Sequence, residues 1–222
     1  MKYRHEWKHE ISYFDLLTLR QRFSILLQTD PYAVNGAYIV KSLYFDNDSD
    51  KALREKLDGV NVREKFRIRY YNNDLSMIRL EKKSKRNQLC AKESILLTQE
   101  QAQAILDGSF FPLESAPPLL QELYSKTHSQ GLKPKTIVQY TREPFVYPAG
   151  NVRLTLDYDI RTGIYNTDFF RQDSLTVPIR EPTIILEVKW DEFLPSMIRD
   201  ALQLPGVHAA AFSKYAVCRS YG

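Results

Sequence analysis

The stretch Arg63–Lys92, REKFRIRYYNNDLSMIRLEKKSKRNQLCAK, constrains the fold more than any other part of the chain. Successive side chains of a strand point to opposite faces. Arg63, Lys65, Arg67, Arg69 and Tyr71 therefore share one face, and Phe66, Ile68 and Tyr70 share the other. The next run repeats the pattern, with Arg79, Glu81 and Lys83 opposite Ile78 and Leu80. A single strand of this kind is an ordinary amphipathic strand with its charges in water. Several in succession, each carrying a mixed cluster of Arg, Lys and Glu, predict a common charged face against which a polyanion lies.

The same alternation opens the chain. Over Lys2–Glu10, Arg4, Glu6, Lys8 and Glu10 fall on one face and Tyr3, His5, Trp7 and His9 on the other. Ser12 with Asp15 forms a capping box for a helix that Asp30-Pro31 is expected to end. Tyr38–Asp46 reads as a strand, and 49–58 as a short helix closed by Gly59. The basic strands at 62–71 and 76–84 are joined by Asn72-Asn73-Asp74, and a turn at Lys85–Gln88 leads to a strand over Leu89–Leu97. Thr98 with Gln101 caps a helix running to Asp107, and Pro117-Pro118 opens another that stops at Gly131. Strands return at Thr136–Thr141, Val152–Ile160 and Thr183–Trp190, then a helix at Pro195–Gln203 and a tail carrying Lys214. With no internal repeat or low-complexity linker, residues 1–222 read as one α+β domain.

Composition narrows the function classes. A 43% hydrophobic chain of 222 residues has ample core, and a net charge of +4 is too mild to demand nucleic acid. Cys90 and Cys218 show no metal-ligand spacing and read as inert thiols in a reducing compartment. The charged start MKYRHEWKHE is no secretory signal, and no run approaches the roughly 20 apolar residues of a membrane span. The expectation is a cytoplasmic protein; its oligomeric state is left open.

Charges on one face of seven or eight strands, with apolar opposite faces and helices to cover them, predict a closed antiparallel barrel with a polar lumen. Buried cations of one sign are costly unless the lumen holds a multiply charged anion and a few carboxylates. Arg suits phosphate by bidentate hydrogen bonding and Lys adds compact charge. The lumen candidates are Lys8, Arg67, Arg69, Lys83, Lys92, Arg142, Arg153 and Lys214, with Glu6, Glu81, Asp157 and Glu187 as the acids. Singly, each signal is weak. An Arg-x-Arg strand usually marks a solvated face, a Glu-x-Lys a cross-strand ion pair, and the opposing aromatics core. No Walker loop, HExxH or nucleophile elbow points to another chemistry.

In order along the chain, YRHEWKHEIS, SLYFDN, REKFRIRYY, IRLEKKSK, the lysine of CAKES, YTREPF, VRLTLD, LEVKW and FSKY resemble the VTC-type polyphosphate polymerase domain, one of the triphosphate tunnel metalloenzymes. The resemblance runs from Tyr3 to Tyr215 and implies an eight-stranded antiparallel tunnel that binds ATP and Mn2+ or Mg2+. By motif position it assigns the basic set to Lys8, Arg67 and Arg69 (the R-x-R pair), Lys83, Lys92, Arg142, Arg153 and Lys214. It assigns the metal to Glu187, with Glu81 and Asp157 as further candidate ligands. Two departures stand out. The chain shows no SPX regulatory domain or membrane segment, so inositol-phosphate sensing and translocation are not expected of this polypeptide; a separate membrane partner is conceivable. The first strand reads E-x-K-x-E (Glu6, Lys8, Glu10) in place of the superfamily's E-x-E-x-K.

The resemblance implies transfer of the ATP γ-phosphate to a polyphosphate chain, or to orthophosphate at initiation. Two rivals share the same tunnel: a tripolyphosphate or nucleoside triphosphate hydrolase with water as attacker, and a non-catalytic barrel that binds polyphosphate or nucleotide.

Overall fold

The computed structural model describes residues 3–87, 89–109, 115–171, 173–206 and 209–220. Lys2, Gln88 and His208, which fall in an expected strand, turn and tail, lie outside them. Ten strands are found among the described residues: β1 (Tyr3–Ile11), β2 (Gln28–Thr29), β3 (Tyr38–Asp46), β4 (Val62–Tyr71), β5 (Asp74–Arg86), β6 (Leu89–Leu97), β7 (Lys133–Tyr147), β8 (Val152–Thr162), β9 (Val177–Pro178) and β10 (Ile184–Trp190). Eight of them close an antiparallel barrel in the order β7-β3-β4-β5-β6-β1-β10-β8, with β8 pairing back to β7. β2 and β9 are short additions on β7 and β8. This is the barrel that the charge alternation predicted.

Six α-helices surround it among the described residues: α1 (Tyr13–Leu26), α2 (Lys51–Leu57), α3 (Gln99–Leu106), α4 (Pro118–Gln130), α5 (Ser196–Ala201) and α6 (Lys214–Arg219). None is long and apolar enough to cross a membrane. The capping boxes at Ser12/Asp15 and Thr98/Gln101 both form. Gly59 and Gly131 end α2 and α4 at φ +71° and +68°, a conformation costly for other residues. Asn72 and Asn73, at φ 49° and 57°, make the β4–β5 turn.

Two apolar layers lie outside the barrel. Leu119, Leu120 and Leu123 of α4, with Ala102 and Ile105 of α3, cover Leu43, Phe66, Ile68, Ile78 and Leu80. Leu16, Leu19 and Phe23 of α1, with Ile198 of α5, cover Phe145, Leu154, Leu156, Leu186 and Val188. Each fully buried Leu or Phe contributes about 1.5–3 kcal/mol, so these layers hold the sheet's outer face and leave its inner face to the charges.

Several expected boundaries shift. The first helix ends at Leu26, before Asp30-Pro31, because Gln28 and Thr29 pair with Val146 and Phe145 of β7. The strand expected at Thr136–Thr141 runs from Lys133 to Tyr147, so Arg142 lies within it. Two prolines hid its length. Pro134 sits at a register shift against β3, and Pro144 lies beyond Arg142, where the β3 pairing stops. Within the tail, Lys214–Arg219 form α6, where the sequence signals no helix. Its Tyr215 and Cys218 pack with Val40, Tyr44, Val138 and Ile160. The inner face is thus apolar between β3, β7 and β8 at the α6 end, and charged elsewhere.

Candidate phosphate tunnel

Strand parity carries the charges inward, and register decides which meet. On the β4–β5 wall Arg67 faces Glu81 across the ladder. Its Nε and Nη2 donate to Glu81 Oε2 at 2.9 and 2.6 Å, and Nη1 donates to Tyr44 Oη at 2.7 Å. Lys92 Nζ takes Glu81 Oε1 at 2.9 Å, and Arg69 Nη1 stands 3.8 Å from Oε2. Arg69 is buried and spends its other donors on Ser42 Oγ (2.8 Å) and Tyr140 Oη (3.2 Å). Burial would raise Glu81, but Arg67, Arg69 and Lys92 hold it well below the usual carboxylate range. Burial would likewise raise Tyr44, and Arg67 and Arg69 pull its phenol below the ordinary value.

Across the lumen Arg142 faces Asp157 in register and grips it with Nε and Nη2, both at 2.7 Å. Lys214 Nζ reaches the same carboxylate at 2.7 Å from the start of α6. Asp157 is fully buried yet stays low, because Arg142 and Lys214 outweigh desolvation. These guanidinium–carboxylate pairs hold the arginines in fixed planes facing the lumen.

A third group joins them. Lys83 Nζ lies 2.8 and 3.1 Å from the two Glu6 oxygens, and Lys8 and Lys189 stand 3.8 and 3.6 Å from the same group. Lys189 also pairs with Glu187, whose Oε2 is 3.9 Å from Arg142 Nη2. Burial and neighbouring Glu187 push Glu6 up, but Lys83, Lys8 and Lys189 bring it down to about 2. Glu187 is held well below its ordinary value against burial by Lys189, Lys8 and Lys83. The carboxylates of the lumen are therefore ionised at neutral pH, and cations still outnumber them.

Of the residues singled out from sequence, Lys8, Arg67, Arg69, Lys83, Lys92, Arg142 and Lys214 contribute to these three groups, with Glu6, Glu81, Asp157 and Glu187. Arg153 does not. It shares the inward parity of Asp157, but its guanidinium pairs with Asp30 near the barrel's rim, and its side chain is 43% exposed. Lys65 and Lys189 are charged groups that the sequence reading left out of the lumen. Each lies two residues from a chosen position, Arg67 and Glu187, so parity alone could have found them. Tyr44 and Tyr140 were hidden in strands buried on both faces.

A divalent metal is implied by the resemblance. No group of three or more His, Cys, Asp or Glu side chains able to hold a metal is found among the described residues. Mn2+ and Mg2+ need only one or two carboxylates when phosphates supply the remaining oxygens. Both oxygens of Glu81 and of Asp157 are held at hydrogen-bond distance by Arg or Lys. Arg142 Nη2 approaches Glu187 Oε2 to no nearer than 3.9 Å, and Glu187 fits that role.

No curated protein matches the chain. Among solved structures, a Bacillus halodurans protein described as a candidate adenylate cyclase aligns with TM-score 0.51 and 16% identity, covering 85% of this chain and 80% of its own. A protein of Pyrococcus horikoshii OT3 aligns with TM-score 0.47 and 12% identity, over 92% and 94%. The first of these supports the tunnel fold alone. The sequence profile of the VTC domain matches residues 3–221. That match spans the whole barrel and every group just described, and the chain belongs to the VTC domain family.

Proposed function

We propose that the protein is a metal-dependent phosphotransferase that lengthens inorganic polyphosphate with the γ-phosphate of ATP. The observation that carries this reading is the convergence of Arg67, Arg69, Lys83, Lys92, Arg142 and Lys214 on one lumen whose carboxylates remain ionised. A polyanion supplies the negative charge that this surplus of cations lacks. Phosphoryl transfer asks mainly for positioning and charge neutralisation. The Arg67/Arg69 and Arg142/Lys214 groups grip a triphosphate from opposite walls, each cation pre-oriented by its carboxylate. Glu187 would hold Mn2+ or Mg2+, which when bound neutralises charge on the phosphate oxygens.

A terminal oxygen of the acceptor phosphate attacks the γ-phosphorus in line. The bond from that phosphorus to the β,γ-bridging oxygen breaks, and ADP leaves with the electron pair. The acceptor is already anionic, so no general base is needed.

Purified protein incubated with ATP and Mn2+ should yield polyphosphate ladders on a stained gel, absent in an Arg67→Ala/Arg69→Ala variant. Orthophosphate release without chains would instead establish a hydrolase. Glu187→Ala should lower turnover far more than triphosphate affinity. Equal loss of both would remove Glu187 from the metal-ligand role.

A further inference from the structure

One rung of the lumen carries a polar atom with nothing to bond. Thr155 of β8 stands directly opposite Glu187 of β10, which in turn faces Lys8 of β1; on its other side Thr155 faces Pro144 of β7. It belongs to the inward series of β8, between Arg153 and Asp157, and is only 3% exposed. Its Oγ1 is buried and has no hydrogen-bond partner among the described residues. The other buried Ser and Thr hydroxyls among them are engaged. Ser42 accepts from Arg69 at 2.8 Å, and Thr136, Thr162 and Thr183 donate to backbone carbonyls at 3.4, 3.0 and 3.0 Å.

Local structure does not ask for this hydroxyl. A strand favours a β-branched side chain, which valine supplies equally, and an unbonded buried hydroxyl is destabilising where valine is not. The neighbouring carboxylate oxygens are already claimed: Arg142 and Lys214 hold Asp157, and Lys189 holds Glu187 Oε1. Residues directly opposite on antiparallel strands have Cβ atoms about 4.5–5.5 Å apart, so Thr155 and Glu187 present oxygens to the same part of the lumen. Mn2+ and Mg2+ keep several waters when a protein binds them through one or two carboxylates and phosphates. Those waters need hydrogen-bond acceptors, and a neutral hydroxyl accepts without adding charge.

We propose that Thr155 is a second protein group at the divalent-cation site, its Oγ1 accepting a hydrogen bond from a water on the ion that Glu187 holds. The inference rests on the metal reading of Glu187. Thr155 is a positioning residue: it acts through that water and fixes where along the β8–β10 wall the ion sits.

The test is calorimetric binding of tripolyphosphate to the full chain, once with EDTA and once with Mn2+; the ratio of the two affinities measures the ion's contribution. Thr155→Val should lower that ratio about tenfold, the loss typical of removing an outer-shell partner of a metal, and leave the metal-free affinity unchanged. Thr155→Ser should keep the wild-type ratio. An unchanged ratio in Thr155→Val overturns the proposal, and so does an equal loss with and without Mn2+, which would give the hydroxyl to a phosphate. Thermal melts of the metal-free protein separate a packing role. Thr155→Val should melt no lower than wild type, because it fills the same space without an unbonded hydroxyl; a lower Tm counts against the proposal. If Glu187→Ala lowers the ratio and Thr155→Val does not, this inference alone fails. If Glu187→Ala keeps the wild-type ratio, the metal reading fails with it.

Discussion

Glu81 shows what a single residue does in this lumen. Its carboxylate is almost fully buried and is shared by Arg67, Arg69 and Lys92. Removing one side of such a pair leaves an uncompensated buried charge, at about 3–5 kcal/mol. Glu81→Ala should therefore lower unfolding free energy by that order in a urea titration. The Arg67→Ala/Glu81→Ala double variant should lose less than the sum of the two single changes. Lys65 gives a pH signature. Its folded value of about 7 lies below the ordinary 10.5, so between these limits the unfolded chain binds more protons than the folded one. Stability of the anion-free protein should rise as pH climbs from 7 toward 10.5. Lys65→Met should flatten that slope in thermal melts across the same range; an equally steep slope in the variant would refute the assignment. Charge identity and parity were legible for most of these residues. The partner of each was not, because pairing depends on the register between strands, which the alternation within a single strand does not fix. Arg153 illustrates this: its motif position was clear, yet Asp30, brought in by the loop after α1, takes its guanidinium.

Elements differ in how far local chemistry specifies them. α1 and α3 carry reciprocal caps readable from four residues each, and both start where expected. Ser12→Ala should cost about 1 kcal/mol, whereas Leu123→Ala on α4, fully buried in the outer layer, should cost about 2–5 kcal/mol. Paired denaturant titrations of the two variants would rank local capping against tertiary packing, and a larger loss at Ser12 would reverse that ranking. β7 and α6 were the poorly legible elements. β7 carries two prolines that argue against a strand, and long-range pairing with β3 and β8 overrides them. α6 is short and follows Pro205, Gly206 and an alanine run; it is held by Tyr215, whose hydroxyl donates to Asp46 at 2.5 Å and whose ring stacks on Tyr44.

For the whole molecule, the surplus of lumen cations makes an anion a folding ligand. Tripolyphosphate at about 100 times its Kd should stabilise the protein by about 2.7 kcal/mol, read as a rise in Tm. Arg67→Ala/Arg69→Ala should abolish the gain, and the wild-type gain should shrink as salt is added. A variant that keeps the full shift would place the anion elsewhere.

The sequence by itself determined that strands would carry charge on one face and apolar groups on the other, because a period of two is a property of the extended backbone. It also determined several helix starts and stops, because caps and glycines act over four or five residues. Only the tertiary structure decided that the sheet closes through β7 and β8, that Arg142 meets Asp157, and that α6 brings Lys214 to the same carboxylate. Those outcomes are settled by interstrand register and by the packing of α6 into the barrel. The first sets Arg142 against Asp157, fifteen positions away, and the second joins Tyr215 to Asp46, 169 positions away, both beyond the four or five residues over which a local pattern acts.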